Sequence, residues 1–208
     1  MKKLESSLLN MVLVLTGIAV VMGAILAFVN DQTSAPIAKQ KEMALANGIK
    51  TVMANDHIII EKTDTVHQTD TKGKKHTYIL YHANNEQGQA LGVAIESTTN
   101  GFGGDLKVLV GFDTEGTILG YTLLEHAETP GLGAKADKWF QKDEKGDIIG
   151  KNPMQPLTVS KDGGEIDAIT ASTITSRAFL LAVNNAYNAY KLKPVDANSG
   201  ATTHHNKQ

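Results

Sequence analysis

The sequence of 208 residues is close to neutral, with a formal net charge of −2, and it contains no cysteine. A strongly basic chain would suggest nucleic-acid binding, and this charge balance gives no such indication. The absence of cysteine excludes disulfides and a cysteine-ligated iron–sulfur cluster within these residues. An electron carrier of this sequence would therefore need an organic cofactor, or a metal held by histidine and carboxylate side chains.

The N-terminal segment contains an apolar run, residues 11–29, without a charged residue. At 1.5 Å per residue, a helix of this length spans roughly 28 Å, close to the thickness of a bilayer core. A cleavable signal peptide is the alternative, but its apolar region is typically about 7–15 residues and ends at an Ala-x-Ala-like site. Lys2 and Lys3 precede the run and Asp31 follows it. We therefore predict an uncleaved anchor in the cytoplasmic membrane, in contact with lipid, with the rest of the chain on the periplasmic or extracellular side.

The sequence divides into three predicted parts. Residues 1–30 form a cytoplasmic stub and the anchor, residues 31–193 form one folded domain, and residues 194–208 form a polar tail. The middle part is long enough to bury a hydrophobic core. The tail is poor in apolar residues and is predicted to be disordered.

The middle part predicts a sheet between helices. A helix is expected over residues 35–53, followed by polar residues with one short strand at 58–60. Alternating apolar residues with turn residues between them predict four strands, at 76–83, 89–97, 105–113 and 117–125. A last strand is expected at 156–160 and a helix at 178–192. This order predicts an α+β fold with an antiparallel sheet and flanking helices.

A cluster of hydroxyl side chains lies directly before the last predicted helix. Five Ser or Thr residues occur within positions 170–176. A helix N-terminus carries unpaired N–H groups and the positive end of the helix dipole, so it can bind an anion such as phosphate. Ser and Thr are also ordinary helix N-caps, and the cluster alone leaves both interpretations open.

The spacing Asp-x-x-Thr-x-x-Thr-x-Thr-Ser-Arg-Ala, which begins at Asp167, resembles the flavinylation motif of the FMN-binding domain family. That family includes the G subunit of the Rnf electron-transport complex and the C subunit of the sodium-pumping NADH:quinone reductase. The resemblance implies FMN bound covalently to Thr175 through a phosphoester. The other motif residues implied to lie near the cofactor are Asp167, Thr170, Ser172, Thr173 and Ser176. The family usually has glycine where this chain has Ala171, which matters if that position needs a positive φ.

A second segment, residues 126–133, carries the resemblance further. Its sequence His-x-Glu-Thr-Pro-Gly-Leu-Gly is similar to the family segment that lies against the flavin ring. A Pro-Gly turn exposes backbone hydrogen-bonding groups and a leucine offers apolar cover, and a flavin ring needs both. The implied cofactor contacts are Glu128, Thr129, Pro130, Gly131, Leu132 and Gly133, and the resemblance adds Lys151. Taken alone, the segment could also be a surface loop. A metal site on His126 would lack ligands, and none is predicted.

Two further stretches resemble binding motifs but lack the structural elements that such motifs require. Residues 99–104 are rich in glycine but do not form a Gly-x-Gly-x-x-Gly that opens a helix, so a plain loop is predicted. Residues 196–202 match the residue types of the family motif well. Their acceptor position falls on His204, and no helix follows to bind a phosphate. The flavin is therefore assigned to Thr175.

The resemblance implies a membrane flavoprotein that relays electrons and turns over no substrate of its own. Its implied partners are the other subunits of the Rnf complex, an ion-translocating ferredoxin:NAD oxidoreductase, and a flavin transferase that uses FAD during maturation. Chain length and motif favour the Rnf protein over the quinone reductase protein. A cofactor-free anchor or assembly subunit of a membrane complex is the alternative from another class.

Overall fold

The computed structural model describes residues 8–70 and 73–192. The predicted disordered tail and its copy of the motif lie outside the described residues, as do Lys2 and Lys3. The elements in chain order are α1 (Leu8–Val52), β1 (Ile59–Thr69), β2 (Lys75–Asn84), β3 (Ala90–Asn100), β4 (Asp105–Asp113), β5 (Ile118–His126), a 3-10 turn (Gly133–Lys135), α2 (Ala136–Trp139), a second 3-10 turn (Ser160–Asp162) and α3 (Thr173–Tyr190).

Helix α1 contains both segments that the sequence predicted as separate helices. It continues through Pro36, which contributes no backbone N–H. The apolar residues from Leu8 to Val29 are exposed, whereas Ile49 and Val52 are buried. By length and composition α1 can cross a membrane. The chain divides between Ala44 and Leu45 into two compact units, and the second unit contains the sheet.

The sheet has the predicted antiparallel topology, with the strands in the order β1-β2-β3-β4-β5. The predicted strand 105–113 coincides with β4, and the neighbouring strands differ from prediction by a few residues at their ends. Strand β1 is much longer than the predicted 58–60. Most of its side chains are exposed, and among the strands that the structure describes it pairs only with β2. Backbone hydrogen bonds to β2 hold this edge strand in place, so its side chains need not be buried. The strand therefore lacks the alternating apolar pattern that identified the other strands.

The two faces of the sheet are covered by different elements, which confirms the α+β class. On one face, α3 packs on β3 and β4, and the rings of Phe140 and Phe179 stack with centroids 4.2 Å apart. On the other face, Ile49, Val52 and Met53 pack against residues of β2, β3 and β4. The larger core lies between the sheet and α3, so the sheet fixes the position of that helix.

The predicted last strand at 156–160 is wrong. This segment contributes one parallel bridge, between Val159 and Ile166, and then enters the turn Ser160–Asp162. The side chain of Asn184 in α3 accepts from the Leu157 N–H at 2.9 Å and donates to the Leu157 carbonyl at 2.9 Å. A side chain therefore satisfies the backbone groups that a neighbouring strand would otherwise bind.

Candidate functional site

Three of the five clustered hydroxyls lie in the first turn of α3, because the helix begins at Thr173 and not at the predicted position 178; Thr170 and Ser172 precede it. Thr175 is 1% exposed and Ser176 is fully buried. Ser172 is the N-cap residue, yet among the described residues no side chain caps this helix end. The ordinary N-cap interpretation of the cluster therefore does not explain these hydroxyls, and the first-turn N–H groups keep their capacity to bind an anion.

The hydroxyl of Thr175 donates a hydrogen bond of 2.7 Å to Oε2 of Glu128, in the loop after β5. The Glu128 side chain is buried, and its other oxygen, Oε1, accepts the N–H groups of Phe102 at 2.8 Å and Gly103 at 3.3 Å. Within the described chain this carboxylate has no ion-pair partner. Hydrogen bonds must therefore offset the cost of burying it.

Two glycines leave the space that this carboxylate and the Thr175 hydroxyl occupy, and a third lets the two loops meet backbone to backbone. A Cβ at Gly101 would overlap Glu128 Oε1, and a Cβ at Gly133 would overlap Glu128 Oε2 and lie 2.7 Å from Thr175 Oγ1. A Cβ at Gly103 would overlap the carbonyl oxygen of Ala127. The close contact of these two loops therefore depends on the absence of side chains.

The loop that follows Glu128 is a tight turn with an open tip. The N–H groups of Leu132 and Ala134 both donate to the Thr129 carbonyl, at 3.1 and 3.2 Å. Pro130 precedes Gly131, whose φ is +77°, as a type II turn requires. A Cβ at Gly131 would meet nothing within 4 Å, and Leu132 is 43% exposed. Glu128 and Gly133 thus face the protein while the tip faces solvent.

Ala171 has a φ of +61°, in the left-handed region where glycine is favoured. This is the position at which the family motif usually has glycine. The Ser172 N–H donates to the Ile169 carbonyl at 3.0 Å, which closes a turn around Ala171. A non-glycine residue in this region costs roughly 1–2 kcal/mol, so the turn into α3 is strained in this chain.

The other residues of the motif have separate contacts. The Ser176 hydroxyl donates to the Ser172 carbonyl at 3.0 Å and accepts the Ile169 N–H at 2.9 Å, so it fixes the turn into the helix. The Thr173 hydroxyl accepts from Lys161 at 3.2 Å. Thr170 is exposed, and exposed Asp167 accepts from the Ser160 hydroxyl at 3.3 Å.

A charged pair holds the start of α3 against the turn Ser160–Asp162. Arg177 donates two hydrogen bonds to Asp162, of 2.7 and 2.6 Å. These bonds raise the pKa of the Arg177 guanidinium. The bidentate geometry orients the first turn of the helix. Lys151 lies apart from this pair: its Nζ is 3.9 Å from Glu165 Oε2, and its backbone pairs with Ile118 and Ile148.

The Gly101–Gly104 loop is the part of the site that the sequence patterns did not identify. It was predicted as a plain loop, yet it provides two of the three hydrogen bonds to the Glu128 carboxylate. The meander explains why, because Leu106 at the start of β4 pairs with His126 at the end of β5. The β3–β4 loop and the segment after β5 therefore meet at one end of the sheet. Strand order combined with glycine content would have identified this loop.

The comparisons with known proteins identify the family of the chain. A family model described as "FMN-binding domain" matches residues 101–188, a range that contains the glycine loop, Glu128 and Thr175. By this match, the folded part of the chain contains an FMN-binding domain. The chain is 31% identical over 205 residues to the G subunit of the ion-translocating oxidoreductase complex of Shewanella piezotolerans, covering 93% of this chain and 96% of that protein. It is 36% identical over 155 residues to the G subunit of the same complex in Vibrio vulnificus, covering 72% of each.

The chain therefore belongs to the family formed by the G subunits of the ion-translocating oxidoreductase complex, and the predicted family is confirmed. Among solved structures, the C subunit of the Na(+)-translocating NADH-quinone reductase from Parabacteroides distasonis is similar at 21% identity and a TM-score of 0.49, over 74% of this chain and 94% of that one.

Proposed function

We propose that the chain is a membrane-anchored electron-transfer subunit of an Rnf-type ion-translocating oxidoreductase complex and carries FMN as a phosphoester on Thr175. The observation that carries the proposal is the position of Thr175. Its hydroxyl lies in the uncapped first turn of a long helix, within the range matched by the FMN-binding family model. A phosphate attached there adjoins the free N–H groups and the positive end of the helix dipole.

The residues around Thr175 fit an FMN. The first turn of α3 would hold the phosphate, and the exposed tip Thr129–Leu132 offers backbone polar groups together with the apolar Leu132 side chain. Phe102 on the glycine loop is 70% exposed and adds a second apolar surface at the same end of the sheet. A flavin requires both kinds of contact. We include Ser172, Thr173 and Lys151 in the proposed site on the family motif alone.

The proposed function is electron relay between protein partners. Bound FMN exchanges one or two electrons, which lets it link carriers of different stoichiometry. The chain itself holds the flavin by a covalent bond, so the cofactor cannot be lost on the outer side of a membrane. The proposed partners are the other subunits of the complex and, during maturation, a flavin transferase that uses FAD.

The proposed orientation places the N-terminus in the cytoplasm and the folded unit outside. Lys2 and Lys3 precede the apolar run, and positively charged flanks stay on the cytoplasmic side. A protease added to intact spheroplasts is expected to digest the folded unit. Digestion that occurs only after lysis would reverse the orientation.

Replacement of Thr175 tests the attachment site. Thr175→Ala is expected to abolish in-gel flavin fluorescence after denaturation and to remove one FMN from the intact mass, while Thr175→Ser retains part of the label. Thr114→Ala changes an exposed threonine in the turn between β4 and β5, outside the proposed site, and is the control, expected to remain labelled. Deletion of residues 195–208 should also leave the label in place. A fluorescent Thr175→Ala chain would move the attachment elsewhere, and unlabelled wild-type protein from a host with its own transferase would favour the cofactor-free anchor.

A further inference from the structure

The Glu128 carboxylate is oriented toward the hydroxyl that accepts the flavin in the proposed function. Its Oε2 accepts the Thr175 hydroxyl at 2.7 Å, so the proton that must leave Thr175 during ester formation already points at a base. Oε1 is bound separately by the Phe102 and Gly103 N–H groups, which fixes the orientation of the carboxylate. No other side-chain hydrogen bond of the Thr175 hydroxyl is present in the described part of the chain.

We propose that Glu128 acts as the general base for the flavinylation of Thr175, an inference that rests on the proposed attachment site. A threonine hydroxyl is a weak nucleophile at neutral pH, and an adjacent general base is one of the ways in which proteins activate such a group. The base therefore belongs to the acceptor chain itself, and the transferase would supply the bound FAD and the leaving-group chemistry.

The step balances without a change of oxidation state. Thr175 Oγ1 forms a bond to the flavin-side phosphorus of FAD, and the bond from that phosphorus to the bridging anhydride oxygen breaks. The hydroxyl proton passes to Glu128 Oε2, and AMP leaves with the bridging oxygen. The products are the FMN phosphoester on Thr175 and AMP, and Glu128 returns its proton to solvent.

The surrounding charges leave this carboxylate without a competing partner. On its own segment, the His126 ring accepts the Glu128 N–H through Nδ1 at 3.3 Å, and Glu125 pairs with Lys107. From α3, Arg177 is bound to Asp162. Lys135 lies two residues after Gly133, and Asp105 directly follows Gly104, at the ends of the two loops that enclose Glu128. In the described chain none of these groups forms an ion pair with Glu128, so its Oε2 is available to the hydroxyl.

Thr175 is buried next to the proposed base. The residue is 1% exposed, and Gly133 lies over its hydroxyl so closely that a Cβ there would be 2.7 Å away. The flavin phosphorus and any external base would both have to displace this segment to reach Thr175. Glu128 is already in contact with the hydroxyl.

Transfer of FMN to purified full-length chains in detergent tests the proposal. Unflavinylated protein is incubated with FAD, Mg²⁺ and a flavin transferase, and labelling is followed by intact mass. Glu128→Gln preserves the shape of the side chain and is expected to slow labelling about 100-fold near neutral pH, within the usual range for a general base. The matched control is Glu125→Gln, an exposed carboxylate on the same segment, expected to remain within about twofold of wild type.

The pH dependence separates a base from a structural residue. The ratio of the wild-type rate to the Glu128→Gln rate cancels the titration of the transferase, and it should fall toward one as pH drops and the carboxylate becomes protonated. A ratio that does not change with pH, or an unimpaired Glu128→Gln chain, overturns the role of Glu128. If Glu128→Gln does not fold, Glu128→Asp is tested in its place. This variant should label more slowly than wild type, and its labelling rate should depend on pH in the same way. A rate that does not fall at low pH, where the carboxylate is protonated, overturns the role of Glu128. Thr175→Ala is run in parallel, because covalent labelling of that chain refutes the attachment site itself.

Discussion

The two loops around Glu128 differ in what they contribute to the site. The loop Ala127–Gly133 carries the carboxylate and a Pro-Gly turn, and its letters are recognisable in the sequence. The loop Gly101–Gly104 contributes two backbone N–H groups, and its glycines leave room for the close contact. Both loops contact the same carboxylate. The difference shows that one loop of a site can act through its backbone alone. Such a loop has no distinctive side chains by which the sequence would identify it.

Gly103→Ala should be the most damaging change, because the loops touch backbone to backbone at this point. The new Cβ would overlap the Ala127 carbonyl oxygen and lie 2.8 Å from the carbonyl carbon. Neither atom can rotate away, so the loops must separate. We expect unfolding free energy to fall by about 3 kcal/mol and Tm by about 10 °C, measured by thermal melts. A loss below about 0.5 kcal/mol would mean that the loops do not meet as described.

Gly133→Ala should disturb the chemistry more than the fold. Its Cβ would overlap Glu128 Oε2, but a carboxylate at the end of a flexible side chain can move aside. We expect a stability loss of about 1–2 kcal/mol together with slower flavin transfer to Thr175, because the carboxylate leaves the hydroxyl. Labelling kinetics and a melt on the same preparation separate the two effects. Unchanged labelling would show that the Glu128–Thr175 contact is dispensable.

Gly131→Ala should have a smaller effect, because the turn tip offers open space. The cost arises only from the positive φ of +77°, about 1 kcal/mol. The matched control is Gly88→Ala, with φ +76° and equally open surroundings in the β2–β3 turn. Both should lose the same stability in denaturant melts. Only Gly131→Ala should alter the absorbance of a bound flavin, and equal spectra would place the tip away from the ring.

Ala171→Gly is expected to stabilise the protein, with the smallest effect of the series. Glycine removes the strain at φ +61° but increases the entropy of the unfolded chain, which leaves a net gain of about 0.5 kcal/mol. Ala178→Gly, inside α3, is the control and should lose about 1 kcal/mol or more. Urea midpoints for the two variants should move in opposite directions. A destabilised Ala171→Gly chain would contradict the left-handed backbone at that turn.

The residue patterns were sufficient for the strands β2 to β5, because these strands are rich in apolar residues, many of them buried, and the short turns leave little choice of topology. They were insufficient for β1, a mostly exposed edge strand, and for the segment 156–160, where the Asn184 side chain takes the place of a neighbouring strand. In both cases the decisive interaction is a hydrogen bond made by the backbone of the segment, which local hydrophobic periodicity cannot report.

The sequence by itself determined the apolar run of α1, the antiparallel meander, the family, and Thr175 as the proposed acceptor, since each depends on residue type at short spacing. Only the tertiary structure decided that Thr175 is buried, that Glu128 accepts its hydroxyl from 47 residues away, and that the glycine loop binds the same carboxylate. It also decided that Ala171 has a positive φ. These facts depend on the pairing of β4 with β5 and the packing of α3 on the sheet, which bring distant segments within hydrogen-bonding distance.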